Sequence, residues 1–262
     1  MEEEKDGLLQ IRDVGRKEKR ADHDRKYKWP VDELREDFVE KVKELCRLAF
    51  GEAFETKMFG NDFRKHVECI QKFIELLKSG EDGNVDDLFS VMDLIFKWAF
   101  VKIVERSNTA LEKEILTMIE ELIEFLCQDD TGHQLWEFEC AVLVPLLTER
   151  TGSNNSAIKD KAKSILKRMI TQEKVIPHKD IFAFLMQGLS SKNTKTKSES
   201  MEEIHYFLTL YKTEFISDKE TKAIIKLVEN NDKALRNNTL NACAEIYRST
   251  GEPFWKMADK LL

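Results

Sequence analysis

The sequence predicts an all-α fold, a solenoid built from about five helix pairs and part of a sixth. Three observations predict it. Only 10 Gly and 4 Pro occur in 262 residues while Leu, Lys, Glu and Ile dominate, a composition that suits helices and lacks the turn formers of an all-β protein. The chain is 42% apolar, enough to bury a substantial core. Its amphipathic stretches are separated by short polar breaks of two alternating kinds, and breaks of one kind recur with a period near 40 residues.

Taken in order, residues 1–30 form a charged lead-in, expected to be partly extended, without helical periodicity until KYKWPV. There Pro30 suits the first turn of a helix and Trp29 can staple that helix to the body. Residues 31–262 are expected to form a single domain. Within it, breaks of the first kind separate tightly paired helices: GNDFRKH (60–66), RSNTALEK (106–113), SNNSAIKDKAK (153–163), SKNTKTK (191–197) and NDKALR (231–236). The second kind links one pair to the next: KSGEDGNVDD (78–87), QDDTGH (128–133), QEKVIPHK (172–179), EFISDKE (214–220) and STGEP (249–253).

After a break of the first kind, the helix opens on an Asn, Ser, Thr or Asp able to cap its free N–H groups. Asn108, Asn155, Asn193 and Asp232 then stand 47, 38 and 39 residues apart (155−108, 193−155, 232−193). Two helices in about 40 residues is the period of HEAT repeats, which here predicts an elongated array. A helix such as DDLFSVMDLIFKWAFVKIVE (86–105) is apolar round much of its circumference and needs cover on several sides, which neighbouring pairs supply. In GNDFRKHVECIQKFIELL the expected buried face is Val67, Ile70, Phe73, Ile74 and Leu77.

Several function classes are disfavoured. A formal charge of −7 does not suit a general nucleic-acid binder, whose basic excess replaces phosphate counterions. The apolar runs fall short of a membrane span and the start lacks a signal-like apolar core, so a cytosolic chain without a membrane partner is expected. Cys46, Cys69, Cys127, Cys140 and Cys243 are far apart, lack a CxxC pair, and read as buried free thiols. The five histidines (His23, His66, His133, His178, His205) show no metal spacing, GEDG (80–83) is too short for a phosphate loop, and no nucleophile elbow occurs. Neither catalysis nor any metal or cofactor is expected.

Charge separates the two kinds of break. The first kind carries +1, +1, +2, +3 and +1, or +8 in all; the second carries −3, −2, +1, −2 and −1, or −7. A solenoid of helix pairs sends the two kinds to opposite edges, so an acidic protein gathers a basic ridge suited to steering an acidic partner. Phe63, in the turn beside Arg64 and Lys65, reads either as a staple onto the first repeat or as an exposed aromatic anchor.

These residues carry a resemblance. ENNDKALRNNTLNACAEIY, LSSKNTKTKSESMEEI and MFGNDFRKHVECI resemble a TOG domain, the tubulin-binding HEAT array of the tumour-overexpressed-gene family of microtubule polymerases, from about Lys26 to Leu262. The fourth-type array of that family is the nearest in pattern, its lead-in ending in Lys-Trp as KYKW does here. The resemblance implies that the turns within each pair face α/β-tubulin. It assigns Phe63 (where many members have Trp) with Arg64 and Lys65, then Asn108, Thr109 and Leu111, then Lys159, then Lys195 and Lys197, then Arg236 and Asn237. It also implies microtubules, centrosome and spindle poles as the setting of the full protein, and a transforming-acidic-coiled-coil-type adaptor reached through other parts of it. The alternative from the residues alone is a HEAT scaffold that binds a different protein along its concave helix faces.

Overall fold

The computed structural model describes residues 9–14, 16, 34–79, 82–105, 108–128, 132–135 and 137–259. KYKWPV, Arg106, Ser107 and Leu262 lie outside the described residues. Thirteen helices, and no strand, occur among the described residues. They divide into two compact units, 1–143 and 144–262, with the division inside one helix.

In the first unit, α1 (Glu36–Phe50) and α2 (Glu52–Phe59) precede α3 (Phe63–Lys78), and α4 (Asp82–Ser90) and α5 (Met92–Glu105) precede α6 (Thr109–Gln128); α7 (Glu137–Thr151) begins here. The second unit holds the rest of α7 with α8 (Ser156–Thr171), α9 (His178–Gly188), α10 (Thr194–Tyr211), α11 (Asp218–Ile225), α12 (Lys233–Thr250) and α13 (Glu252–Ala258). Each expected break contains a junction between two helices, although 82–87 of KSGEDGNVDD lie inside α4 and 156–163 of SNNSAIKDKAK inside α8.

One helix departs from expectation, and another junction falls on a glycine. The expected helix 86–105 is broken at Val91 into α4 and α5. Helices α1 and α2 are separated at Gly51, whose φ of +85° is open to glycine and strained for other residues. Gly51 also leaves room: a Cβ there would lie 2.8 Å from the Arg12 guanidinium carbon. That arginine belongs to a strap, residues 9–14 and 16, laid on the first unit. The Arg12 amide donates to the Ala49 carbonyl at 2.8 Å, and Arg16 grips the fully buried Asp93 through Nε at 3.2 Å and Nη2 at 2.8 Å. Lys97 reaches the same carboxylate at 2.9 Å.

The core of the first unit forms round α5, which is buried on nearly every side, as its all-round apolar sequence requires. Trp98 is 0% exposed and its indole N–H donates to the Met58 carbonyl at 2.8 Å. Phe50, Phe54, Phe73 and Trp98 form a tilted and edge-on chain with centroids 5.5 to 6.2 Å apart. The buried face of α3 is rotated from the expected one. His66, Cys69, Ile70, Phe73, Leu76 and Leu77 are buried, whereas Val67 and Ile74 are half-buried. His66 turns inward because its Nε2–H donates to the Gly60 carbonyl at 2.9 Å, closing the preceding turn from inside.

Repeat register is visible in the bonds that cross between like helices. In the second unit, Lys163 meets Glu202, Asn238 meets Ser198, and Tyr211 Oη donates to the Ile170 carbonyl; these partners are 39, 40 and 41 residues apart. Helices α8, α10 and α12 therefore run parallel, one repeat apart. In the first unit, Trp98 and Met58 stand 40 residues apart. Lys78, at the end of α3, pairs with Glu121 of α6 at 2.8 Å. Cys46, Cys69, Cys140 and Cys243 are buried free thiols and Cys127 is half-buried; burial pushes the Cys69 thiol up to about 12 and that of Cys243 to about 11.

Candidate functional site

The recurrent feature of this chain is the way its second helices begin. Five of them, α3, α6, α8, α10 and α12, open on an Asx side chain. Asp62 accepts from the Arg64 amide at 3.0 Å, Asn108 from Ala110 and Leu111 at 3.0 and 3.1 Å, and Asn155 from Ala157 at 3.1 Å. Asn193 accepts from Lys195 at 2.9 Å and Asp232 from Leu235 at 2.8 Å. Each cap satisfies N–H groups that would otherwise lack partners and fixes the turn before it. The four caps aligned from sequence are all present in that role.

Within the first unit, α3 and α6 lie side by side in parallel, so their capped starts share one end. Phe63 is the first residue of α3 and is half-buried, between the staple and the anchor readings. Arg64 is exposed, and its guanidinium returns to the Asp62 carboxylate at 3.3 Å; this bond holds that carboxyl below its ordinary value. Lys65 is exposed. Asn108 is half-buried, as a cap must be, and Thr109 is exposed. Leu111 is a correction: at 3% exposure it packs inward from the first turn of α6 and has no surface to offer a partner.

In the second unit, three capped turns meet. Lys195 Nζ donates to Asn154 Oδ1 at 3.2 Å, tying the start of α10 to the turn before α8, and Asn238 Nδ2 donates to the Ser198 carbonyl at 3.0 Å, tying α12 to α10. Gly152 lets the lysine lie flat, since a Cβ there would stand 3.2 Å from Lys195 Cε. Between the two turns is a polar depression lined by Glu149, Arg150, Asn154, Asn155, Asn193 and Lys195. Lys195 and Asn237 are exposed, and Lys159 and Lys197 are half-buried. Arg236 is half-buried, with Nη1 donating to the Asn230 carbonyl at 3.0 Å, so it braces its own turn.

The structure also reduces the basic count. Lys163, which contributed to the third turn, lies 2.6 Å from Glu202 and 3.7 Å from Glu199 and is neutralised within the unit. Asn154 was not singled out from sequence. The 40-residue offset was the available signal, because it sets Asn154 opposite Lys195.

Fold and site together define an all-helical HEAT-type array whose paired helices present Asx-capped, partly basic turns at one end of each unit. The chain belongs to the XMAP215/Dis1/CLASP TOG-domain family, whose model matches residues 71–261. It is 27% identical over 257 residues to Protein MOR1 of Oryza sativa subsp. japonica, covering 97% of this chain and 12% of that protein. It is 26% identical over 235 residues to Protein mini spindles of Drosophila melanogaster, covering 89% of this chain and 11% of that protein. The chain thus spans about an eighth of the length of these curated relatives. A solved structure described as "TOG-tubulin binding specificity promotes microtubule dynamics and mitotic spindle formation" superposes with a TM-score of 0.80 at 25% identity, covering 96% of this chain and all of that one. The TOG domain of C. elegans Zyg9 superposes at 0.79 with 20% identity, over 96% of this chain and 92% of that one, a likeness of fold.

Proposed function

We propose that this chain binds α/β-tubulin through the capped turns of its helix pairs, and that residues 31–262 act as one TOG domain without chemistry of their own. The observation that carries this is the recurrence of the Asx-capped turn at five helix starts, with exposed Arg64, Lys65 and Lys195 beside the caps. Family membership supports the partner, and the rigidity of capped, cross-bonded turns supports a preformed surface. In this reading Phe63, Arg64, Lys65, Asn108, Thr109, Lys159, Lys195, Lys197 and Asn237 form the contact set, with Arg236 holding the last turn in shape. The full protein works at microtubules, spindle poles and centrosomes in promoting microtubule growth, and an adaptor of the transforming-acidic-coiled-coil type engages other parts of it. A single array binds tubulin but polymerises poorly alone, because linked sites gain from effective concentration.

Fluorescence anisotropy with α/β-tubulin tests the assignment. Phe63→Ala with Lys65→Glu and Lys195→Glu is expected to weaken binding at least about tenfold, roughly 1.4 kcal/mol. Arg168→Glu, on the exposed face of α8, is expected to leave it unchanged. The reverse pattern would assign the partner to the helix faces, as in a scaffold solenoid, and would sink the turn assignment.

A further inference from the structure

The seam between α8 and α10 holds a group that the turn surface does not use. Glu203 is 1% exposed, and neither carboxyl oxygen has a hydrogen-bond partner. Helix α8 supplies cations, but they are engaged elsewhere. Lys163 of α8 sits 2.6 Å from Glu202, and Lys167 of α8 lies over the Tyr206 ring at 5.0 Å. On its own helix the neighbouring charges are Glu199 and Glu202. From α9 the buried face is Ile181, Phe182, Phe184 and Leu185, all apolar. From α12 the buried ionisable groups are Cys243 and Glu245, the latter held by Arg248. No group of His, Cys, Asp and Glu able to hold a metal ion occurs among the described residues. A buried carboxylate with no donor is costly, so the neutral acid is the form this environment accepts.

We infer that the α8–α10 seam is a proton-sensitive joint with Glu203 as its titrating member. Protonated, Glu203 packs as a neutral side chain; deprotonated, it must draw Lys163 from Glu202 or admit water between the helices. Both helices start at the capped turns, Lys159 in the first turn of α8 and Lys195 and Lys197 in the first turn of α10, so loosening the seam alters the spacing of these cations. The joint itself does not depend on the tubulin reading; only its effect on binding does. Desolvation raises the Glu203 carboxyl from 4.5 to about 7, with Lys163 the main opposing influence. The sign follows from that direction. Because the folded value is raised, the stabilisation is fully present below the ordinary value and is lost as pH rises through about 7.

Two measurements decide it. Carbon-13 NMR of the wild-type carboxyls needs no variant: a Glu203 midpoint above about 6 supports the joint, and one below about 6 overturns it. Denaturant unfolding at pH 6 and pH 8 then compares wild type with Glu203→Gln and Glu203→Leu, so that one variant remains if the other does not fold. The wild-type folding constant is expected to fall about tenfold more over that interval than that of a variant. Equal falls would overturn the inference.

Discussion

Asp93 shows how a single residue organises the first unit. It is completely buried on the largely apolar helix α5, and the fold tolerates it because Arg16 and Lys97 both reach its carboxylate. Breaking a buried ion pair by neutralising one member costs about 3 to 5 kcal/mol. Asp93→Asn is therefore expected to lower the unfolding free energy by that order, read from denaturant midpoints at constant slope. If instead the variant unfolds like wild type, the strap does not hold the unit together. The charges at this site were in plain view in the sequence, but nothing in the spacing of Arg16 and Asp93 tells that they meet. Leu111 and His66 teach the same point from the other side. One stands in a polar turn and is buried, and the other looked like a lone helical histidine and closes the turn ahead of Phe63.

At the scale of the element, the capped turn is the repeated unit. Asn193→Ala removes the acceptor for the Lys195 amide and is expected to destabilise the chain by about 1 kcal/mol, within the usual range for a lost cap. The loss should be local: hydrogen exchange at Lys195 and its neighbours should speed while α3 and α6 are unaffected. Uniform acceleration throughout the chain would show that the cap acts on global stability and does not shape its own turn. The helix pairs and their order were legible because apolar periodicity and Asx caps are local signals. The break at Val91 was less so, because a run of apolar residues looks the same whether it forms one helix or two. The rotation of the α3 face was hidden for a related reason. His66 is buried according to which neighbours cover it, not according to its own hydropathy.

For the whole molecule, charge distribution sets the expected behaviour. The net charge is −7, yet the turns proposed to face tubulin present exposed Arg64, Lys65, Lys192 and Lys195. Binding to an acidic partner should therefore weaken as salt rises, with the association rate falling more than the dissociation rate grows, because exposed charges steer encounter over about a Debye length. Stopped-flow mixing with tubulin at low and physiological ionic strength checks this. An association rate indifferent to salt would assign the energy to Phe63 and other apolar contacts. The effect should be smaller than the formal turn charge of +8 implies, since Lys163 is spent on Glu202 and Arg64 leans on Asp62.

The sequence by itself determined the all-α class, the 40-residue helix pair, the five capped starts and the family pattern in the turns. These are properties of residues near one another along the chain, where period and cap chemistry act directly. Only the tertiary structure decided which charges remain free for a partner, that Leu111 is inside, that Arg236 braces its own turn, and that Glu203 lies without a partner in the seam of α8 and α10. Burial and pairing depend on what packs from 40 residues away, and no local pattern carries that information.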